Sequence, residues 1–248
     1  FRIYQAKAEL KGERLLLRGY TTQQVTGQTY DSRYLAYHLN RAWKSDEQWF
    51  RDYRNAYNGY YLRYGIRPMD HKEARYFADQ GRLIPGTPEF EAKKQEFISI
   101  TNFSEGAGMI NNSGLYHADA SYDLKNLIPL INVEIGSSFR YYNLVSEGTV
   151  FPDTTGNLLH YFEYGGYLNL AKDLINKTLH IEGALRYDKS EHFKGHIAPR
   201  ISVLYTLKKS HNFRVSLMQG FRNPSAKEQF INQDLATARL LGGLTGIY

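Results

Sequence analysis

Residues 199–217 read PRISVLYTLKKSHNFRVSL, and apolar and polar side chains alternate on both sides of a short central turn. Successive side chains of an extended strand point to opposite faces, so this alternation predicts two antiparallel strands, each with one apolar and one polar face. The apolar face holds Ile201, Val203, Tyr205 and Leu207, followed after the turn by Phe213, Val215, Leu217 and Phe221.

The same pattern recurs towards the N-terminus. Segments 114–124, 131–142, 160–170 and 178–188 alternate in the same way, and segments 2–10 and 14–22 do so less regularly. Together with 197–207 and 212–221, they predict about eight strands. Gly165-Gly166 interrupts one of them and predicts a bulge or kink. The sequence has no run of about 18 apolar residues that would predict a membrane-spanning helix.

The predicted strands are joined alternately by short and long connections. Short turns lie near residue 11 and at 125–129, 172–176 and 208–211, whereas residues 23–113, 143–159 and 189–196 form longer connections. Amphipathic strands of about ten residues, with short turns at one end and long loops at the other, are typical of β-barrels in Gram-negative outer membranes. The predicted fold is therefore all-β, a transmembrane antiparallel barrel with a long, partly helical extracellular loop.

A soluble antiparallel sandwich or a lipocalin-like barrel also has alternating strands. Such a fold buries its inner face, where each unpaired charge costs several kcal/mol. The polar face predicted here carries charges of both signs, which favours a water-filled membrane barrel. We predict that the following charged residues face the lumen: Glu134, Arg140, Glu163, Glu182 and Arg186.

Composition argues against several classes of function. The formal net charge is +6, but 31 Lys and Arg are scattered among 25 acidic residues, so no basic stripe predicts nucleic-acid binding. The chain has no Cys, which excludes thiol catalysis and Cys-ligated zinc. A glycine-rich phosphate loop, a Gly-x-Ser-x-Gly elbow and a His-Glu-x-x-His stretch are all absent from the sequence. We therefore expect no enzymatic activity, no catalytic residue and no cofactor.

One weak metal-site signal is present. His192 and His196 are four residues apart and close to Asp188 and Glu191. That spacing can bring two imidazoles to one metal ion, but such sites need a third fixed ligand. We interpret these residues as solvated loop residues and predict no metal site.

The longest connection, residues 23–113, is rich in aromatic side chains. Trp49, Tyr53 and Tyr57 are spaced by four residues, which indicates a helix. Thr87 followed by Pro88 predicts the cap and first position of a second helix over 88–97. The aromatic residues between positions 30 and 64 are Tyr30, Tyr34, Tyr37, Trp43, Trp49, Phe50, Tyr53, Tyr57, Tyr60, Tyr61 and Tyr64.

These rings allow two interpretations. As an extracellular cap, the loop would present rings and guanidinium groups to a ligand, since Tyr and Trp give large contact area at low entropy cost. As a small core, the rings would pack the loop's own helices together. We favour packing for most rings and expect a minority to face the vestibule. The ligand-contact candidates are Trp43, Trp49, Tyr53, Arg54 and Tyr57.

The C-terminal part of the strand region resembles a known family. Segments 199–205 and 213–217 are followed by Gly-Phe-Arg-Asn-Pro-Ser at 220–225 and then by a glutamate. This arrangement resembles TonB-dependent receptors, in which a strand, a short periplasmic turn and a second strand lead into a Gly-Phe-Arg-x-Pro loop. The long aromatic loop is similar to the extracellular insertions of Bacteroidetes-type receptors. The motif residues of this sequence are Gly220, Phe221, Arg222, Pro224 and Glu228.

A structural role is favoured for this motif over direct ligand contact. Pro224 cannot donate to a strand ladder, and Gly220 allows a kink where the chain leaves the sheet. We expect Phe221 to lie in an outer aromatic girdle, and Arg222 to pair with Glu228 and brace the loop.

The resemblance implies a barrel of about 22 strands, filled by an N-terminal plug and energised by the TonB complex through that plug. Residues 1–248 would then be an internal part of the barrel domain, with the plug outside them. The expected location is the Gram-negative outer membrane. The expected partners are outer-membrane lipid, the TonB energy-transducing complex, a small-molecule or oligomeric nutrient, and a surface lipoprotein.

The resemblance leaves several ligands open, namely iron-siderophores, glycans, cobalamin and peptides. A mixture of Arg with Tyr and Trp suits an anionic, aromatic siderophore, and it suits equally a sugar stacked on rings. The siderophore is our expectation from the family. The alternative from another class is a non-transporting structural or adhesion barrel, whose long loop would bind a partner protein.

Overall fold

The computed structural model describes residues 1–59, 67–125, 127–154, 156–208, 210–235 and 238–244. The chain forms two compact units. The first comprises Phe1–Val25, Asn111–Asn232 and Leu241–Tyr248, and the second comprises Thr26–Ile110 and Gln233–Leu240. Of the aromatic residues of the long loop, Tyr60, Tyr61 and Tyr64 lie outside the described residues.

Strands and helices alternate in blocks along the chain. In chain order the elements are β1 (Arg2–Lys11), β2 (Leu15–Val25), β3 (Thr29–Tyr30), α1 (Ser32–Arg41), α2 (Asp46–Tyr57), α3 (His71–Ala78), α4 (Pro88–Ser99), β4 (Gly108–Met109), β5 (Gly114–Asp123), β6 (Asn132–Leu144), β7 (Leu159–Leu174), β8 (Leu179–Ser190), β9 (His196–Leu207), β10 (His211–Met218), α5 (Ala226–Phe230), β11 (Asn232–Leu235) and β12 (Ala238–Leu241).

The first unit is built on one eight-stranded antiparallel sheet. Its strand order is β1-β2-β5-β6-β7-β8-β9-β10, and β1 and β10 are the two outermost strands. The prediction of an antiparallel β-fold with about eight strands is confirmed, and the sheet of the described residues is open rather than closed into a barrel. β10 ends at Met218, earlier than the predicted residue 221.

One face of this sheet is apolar. Directly opposed residues of an antiparallel pair share a face, and the register opposes Ile201 to Leu217 and Val203 to Val215. The side chains of Val215 and Leu217 are 68% and 69% exposed. A continuous exposed apolar surface of this kind indicates contact with something other than water. Other exposed apolar residues on the same face are Tyr4, Leu10, Leu15, Leu17, Tyr116, Ile135, Phe139, Tyr164, Leu168, Leu170, Leu185, Tyr187, Ile197, Tyr205 and Phe213.

The expectation of a bulge at Gly165-Gly166 is wrong, and the alternative of a kink stays a prediction. β7 pairs with β8 without a skipped residue, with Gly165 opposite Asp188 and Gly166 opposite Tyr187. A Cβ atom on Gly165 would lie 2.4 Å from Oδ1 of Asp188. Gly165 therefore makes room for a neighbouring carboxylate.

The second unit contains the helices α1 to α4 and the short β3–β4 pair. Leu35, Leu39 and Ala107 form its buried core, with Phe90 and Phe97 among the rings packed against them. The side chain of Thr87 accepts a hydrogen bond from the amide of Phe90, and Pro88 is the first residue of α4. The predicted start of the second loop helix is confirmed.

Candidate functional site

The register brings all five predicted lumen residues onto one face of the sheet, opposite to the apolar face. Glu134 lies opposite Asn169, Arg140 lies opposite Glu163, and Glu182 lies opposite Ser202. Arg186 lies opposite Tyr167 and Ala198. We call this surface the polar face. The amphipathic alternation read from the sequence thus corresponds to two chemically different faces of one sheet.

Four of the five charged residues have partners on the polar face. Arg140 and Glu163 approach to 3.6 Å, and the hydroxyl of Tyr167 donates to Glu134 at 2.6 Å. The guanidinium of Arg186 donates through two nitrogens to the carboxylate of Asp188, each at 2.6 Å. Such charge-assisted bonds offset the cost of removing charged groups from water.

A network of hydrogen-bonded side chains extends across several strands on the polar face. Arg18 pairs with Asp119 at 2.8 Å, and Nε2 of His117 lies 2.9 Å from the same carboxylate oxygen. Nε of Arg140 donates to Nδ1 of His117 at 3.3 Å. The network links strands β2, β5, β6 and β7. The sequence placed His117 and Asp119 on a polar face, but only the register shows that they meet Arg18 and Arg140.

Residues 219–231, which we call the motif segment, turn onto the polar face after β10. The side-chain amide of Asn223 lies 3.5 Å from Glu163, and the ring of Phe221 stacks on His196 at 4.6 Å. His196 opposes Asp188 and therefore belongs to the polar face. The expectation that Phe221 stands in an outer aromatic girdle is wrong, because the chain folds inwards and carries the ring with it.

The bracing role expected for the motif is supported by its contacts. Arg222 and Glu228 form the predicted ion pair at 2.9 Å. Glu228 also accepts from the amide of Ser225 at 2.6 Å, while the Ser225 side chain accepts from the amide of Glu228. This capping box begins α5, whose Gln229 donates to the carbonyl of Pro224 at 2.6 Å.

The capping box should make the stability of the motif segment depend on the charge of Glu228. The hydrogen bond from the Ser225 amide, followed by that from Arg222, lowers the pKa of Glu228 to about 2. A carboxyl group with a lowered pKa stabilises the folded segment above its ordinary pKa near 4.5 and loses that contribution as the pH falls towards 2. We expect Glu228→Gln to speed amide hydrogen exchange of residues 225–230 severalfold at pH 7. Lys227→Gln is the control, and equal exchange in the two variants would contradict the capping role.

The polar face and the motif segment together enclose a cavity of about 680 Å³. Arg140, Arg186 and Arg222 line it together with the two carboxylates of Glu163 and Asp188. Two phenols, Tyr142 and Tyr161, also line it, and their rings stack at 4.4 Å. The cavity is therefore polar, and guanidinium groups outnumber carboxylates around it.

The aromatic candidates of the second unit pack on one another. Trp49 and Tyr53 stack along α2 at 5.4 Å, and Tyr57 stacks on His71 of α3 at 4.5 Å. The indole nitrogen of Trp49 donates to Asp79 at 2.8 Å. These contacts support the packing interpretation for Trp49, Tyr53 and Tyr57.

The two other loop candidates differ from these rings. The buried indole nitrogen of Trp43 has no hydrogen-bond acceptor among the described residues, and the ammonium group of Lys44 lies 4.7 Å from the ring centroid. Arg54 is exposed on α2 and lines an open hollow with Phe50 and Arg51. Of the five candidates, Arg54 and Tyr57 are exposed, and Tyr53 lines the same hollow as Arg54.

His192 and His196 have separate environments. The ring of His192 lies 5.4 Å from Phe230, whereas that of His196 stacks on Phe221. In the described part of the chain, no three His, Asp or Glu side chains are grouped as metal ligands. No helix among the described residues is long and apolar enough to cross a membrane.

An antiparallel sheet with an apolar face, a polar face of paired charges, and connections of alternating length defines the wall of a membrane-barrel protein. The family model "TonB dependent receptor-like, beta-barrel" matches residues 8–245. The chain therefore belongs to the TonB-dependent receptor family, a family of outer-membrane receptors and transporters rather than enzymes. The family implies an interaction with TonB and a ligand. No curated protein and no solved structure matches the chain significantly.

Proposed function

We propose that the receptor containing this chain takes up a scarce, bulky nutrient across the Gram-negative outer membrane, and that this nutrient is an anionic iron-siderophore. The observation that carries the proposal is the cavity of about 680 Å³ between the polar face and the motif segment. Four basic side chains line it, Arg140, Arg186, Lys189 and Arg222, together with the carboxylates of Glu163 and Asp188. Because Glu228 pairs with Arg222, one positive charge remains in excess. An excess of positive charge along a concave surface favours an anionic ligand.

The arginines are held in place and still have free donors. Arg186 is fixed by two bonds to Asp188, and Arg140 lies between His117 and Glu163. A guanidinium group has five N–H donors, so one carboxylate partner leaves several for a ligand. Fixed donors lose little entropy on binding, which favours affinity.

The cavity offers less to a stacked sugar than to an anion. Sugar stacking needs an open ring face, but Tyr142 and Tyr161 cover each other at 4.4 Å, and Tyr161 is only 2% exposed. Glycan, cobalamin and peptide receptors of the same family remain the alternatives for the substrate. We also propose that the receptor has a plug and a TonB contact outside this chain, and that a surface lipoprotein is its partner.

The proposal predicts a charge effect confined to the cavity. In the full-length receptor, Arg140→Gln together with Arg186→Gln should weaken binding of a ferric tris-catecholate complex by roughly 10- to 100-fold for each arginine. The reason is that a hydrogen bond to a charged group contributes about 1.5–3 kcal/mol. Binding is measured by quenching of intrinsic fluorescence, and assembly by the heat-dependent shift in gel mobility.

The chain offers a matched control for this experiment. Arg200 and Arg214 also belong to the polar face, because each lies two residues along its strand from Ser202 or Ser216, which oppose each other there. Neither arginine lines the cavity. Arg200→Gln with Arg214→Gln removes the same charge and should leave binding unchanged. Equal losses in both double variants, or no loss in either, would contradict an anion site. Binding of the ligand without its energy-dependent accumulation would instead favour a non-transporting barrel.

A further inference from the structure

We propose that the edge of the sheet formed by the four short turns binds anionic phospholipid headgroups. The turns connect β1 to β2, β5 to β6, β7 to β8 and β9 to β10. Since these strand pairs follow one another in the sheet, their turns line the same edge. We call this edge the short-turn rim; it comprises the described residues of 11–14, 124–131, 172–178 and 208–211.

The charge of the short-turn rim is strongly biased. By sequence, its four segments hold seven basic residues and two acidic ones, and each segment has a net positive charge. Three of the connections at the opposite end, residues 145–158, 191–195 and 219–231, hold three basic and four acidic residues, and the long connection, residues 26–113, holds 12 basic and 11 acidic ones. The basic residues of the rim within the described part are Lys11, Arg14, Lys125, Lys172, Lys177 and Lys208.

The side chains of these basic residues are not taken up by ion pairs in the part of the protein that the structure describes. Among the described residues, none of the six forms an ion pair within 4.0 Å. One of the two rim acids, Asp173, is engaged by His180 at 2.7 Å. The positive charge of the rim is therefore available to an external anion.

Apolar side chains at the tips of two turns indicate what kind of anion this is. Leu127, Leu130 and Ile175 are 68%, 76% and 67% exposed. A turn in bulk water gains nothing from exposed Leu and Ile, whereas a segment that combines such residues with Lys suits the boundary between headgroups and acyl chains. Lys side chains can then extend along apolar surface and place their ammonium groups at the phosphates.

The position of the short-turn rim agrees with binding of phospholipid headgroups. Short turns of outer-membrane barrels lie on the periplasmic side, next to the phospholipid surface. Basic residues beside an anionic surface each favour binding, and the effect decays with ionic strength. The inference rests on the outer-membrane location of the family and not on the identity of the nutrient, so a failed siderophore assay would leave it standing.

The test uses the full-length receptor in a neutral detergent, titrated with phosphatidylglycerol or phosphatidylcholine and analysed by native mass spectrometry. Wild type should bind phosphatidylglycerol preferentially, and its binding should weaken when salt is raised. The variant K125Q/K172Q/K177Q/K208Q should bind phosphatidylglycerol about tenfold more weakly. The charge-preserving variant K125R/K172R/K177R/K208R should bind as wild type does.

A matched control removes four lysines outside the rim, of which Lys72, Lys194 and Lys227 are exposed and Lys93 is half-buried and paired with Glu96. K72Q/K93Q/K194Q/K227Q should bind phosphatidylglycerol as wild type does. The proposal is overturned if both Gln variants lose binding equally, if neither does, or if binding does not depend on salt. It is also overturned if the rim variant loses TonB-dependent uptake but retains lipid binding, because the rim would then serve a protein partner.

Discussion

Leu217→Arg should abolish assembly of the barrel in the outer membrane, whereas Ser216→Arg, one residue earlier, should be tolerated. Leu217 opposes Ile201 on the apolar face and is 69% exposed. Ser216 is on the polar face, where its hydroxyl lies 2.9 Å from that of Ser202. An arginine on the lipid side of a barrel costs about 2–4 kcal/mol near the middle of the bilayer, whereas a lumen position remains hydrated.

The measurement is the amount of full-length receptor in outer-membrane fractions and its heat-dependent shift in gel mobility. Val203→Arg and, separately, Ser202→Arg repeat the comparison on β9. Val203 opposes Val215 on the apolar face, and Ser202 opposes Ser216 on the polar face. The face assignment would be wrong if the Ser216 variant failed to assemble while the Leu217 variant assembled normally. It would also be wrong if both variants assembled equally well, since only a sheet with water on both faces would tolerate arginine equally on each.

The sequence was sufficient to predict the strands because the two faces differ so strongly in chemistry. Each of the eight predicted strands forms, and the five charged residues assigned to one face share it. A period of two residues depends only on strand geometry and on the solvents at the two faces. It can therefore be read without knowing which strands are neighbours.

The cavity could not be predicted from that periodicity. It depends on the register between strands, which brings Arg140 opposite Glu163, and on the direction that the chain takes after Met218. Phe221 continues the apolar alternation of β10 in the sequence, yet the strand has ended before it. The ring instead follows a turn onto the polar face and stacks on His196.

The role of the glycines within the strands also depends on strand pairing and could not be predicted from the sequence. Gly136 looks like a weak point in β6, but it opposes Tyr167, whose phenol occupies the place that a side chain would take. A Cβ on Gly136 would lie 2.3 Å from Cε1 of that ring. The hydroxyl of Tyr167 then reaches Glu134. Only the pairing of the two strands reveals why a residue without a side chain is needed there.

The aromatic loop is the region where sequence left two interpretations, and Trp49→Ala distinguishes them. We expect this change to destabilise the helical unit by about 1–3 kcal/mol, less than the cost of truncating a fully buried Trp, because the ring is half-buried. The indole ring stacks on Tyr53 and its nitrogen donates to Asp79 near the end of α3. The loss should appear as rapid protease cleavage within residues 26–110 in a barrel that still assembles.

Arg54→Ala is the matched comparison on the same helix. Its side chain is exposed beside Phe50 and Arg51, so its removal should leave protease resistance unchanged. If the unit contributes to ligand capture, binding should weaken in Arg54→Ala without any loss of folding. If Trp49→Ala instead weakens binding while the unit stays protease-resistant, the ring is a ligand contact and not part of the core. A ring that holds α2 to α3 cannot be removed without loosening both, so folding and binding should fall together in the Trp49 variant and separate in the Arg54 variant.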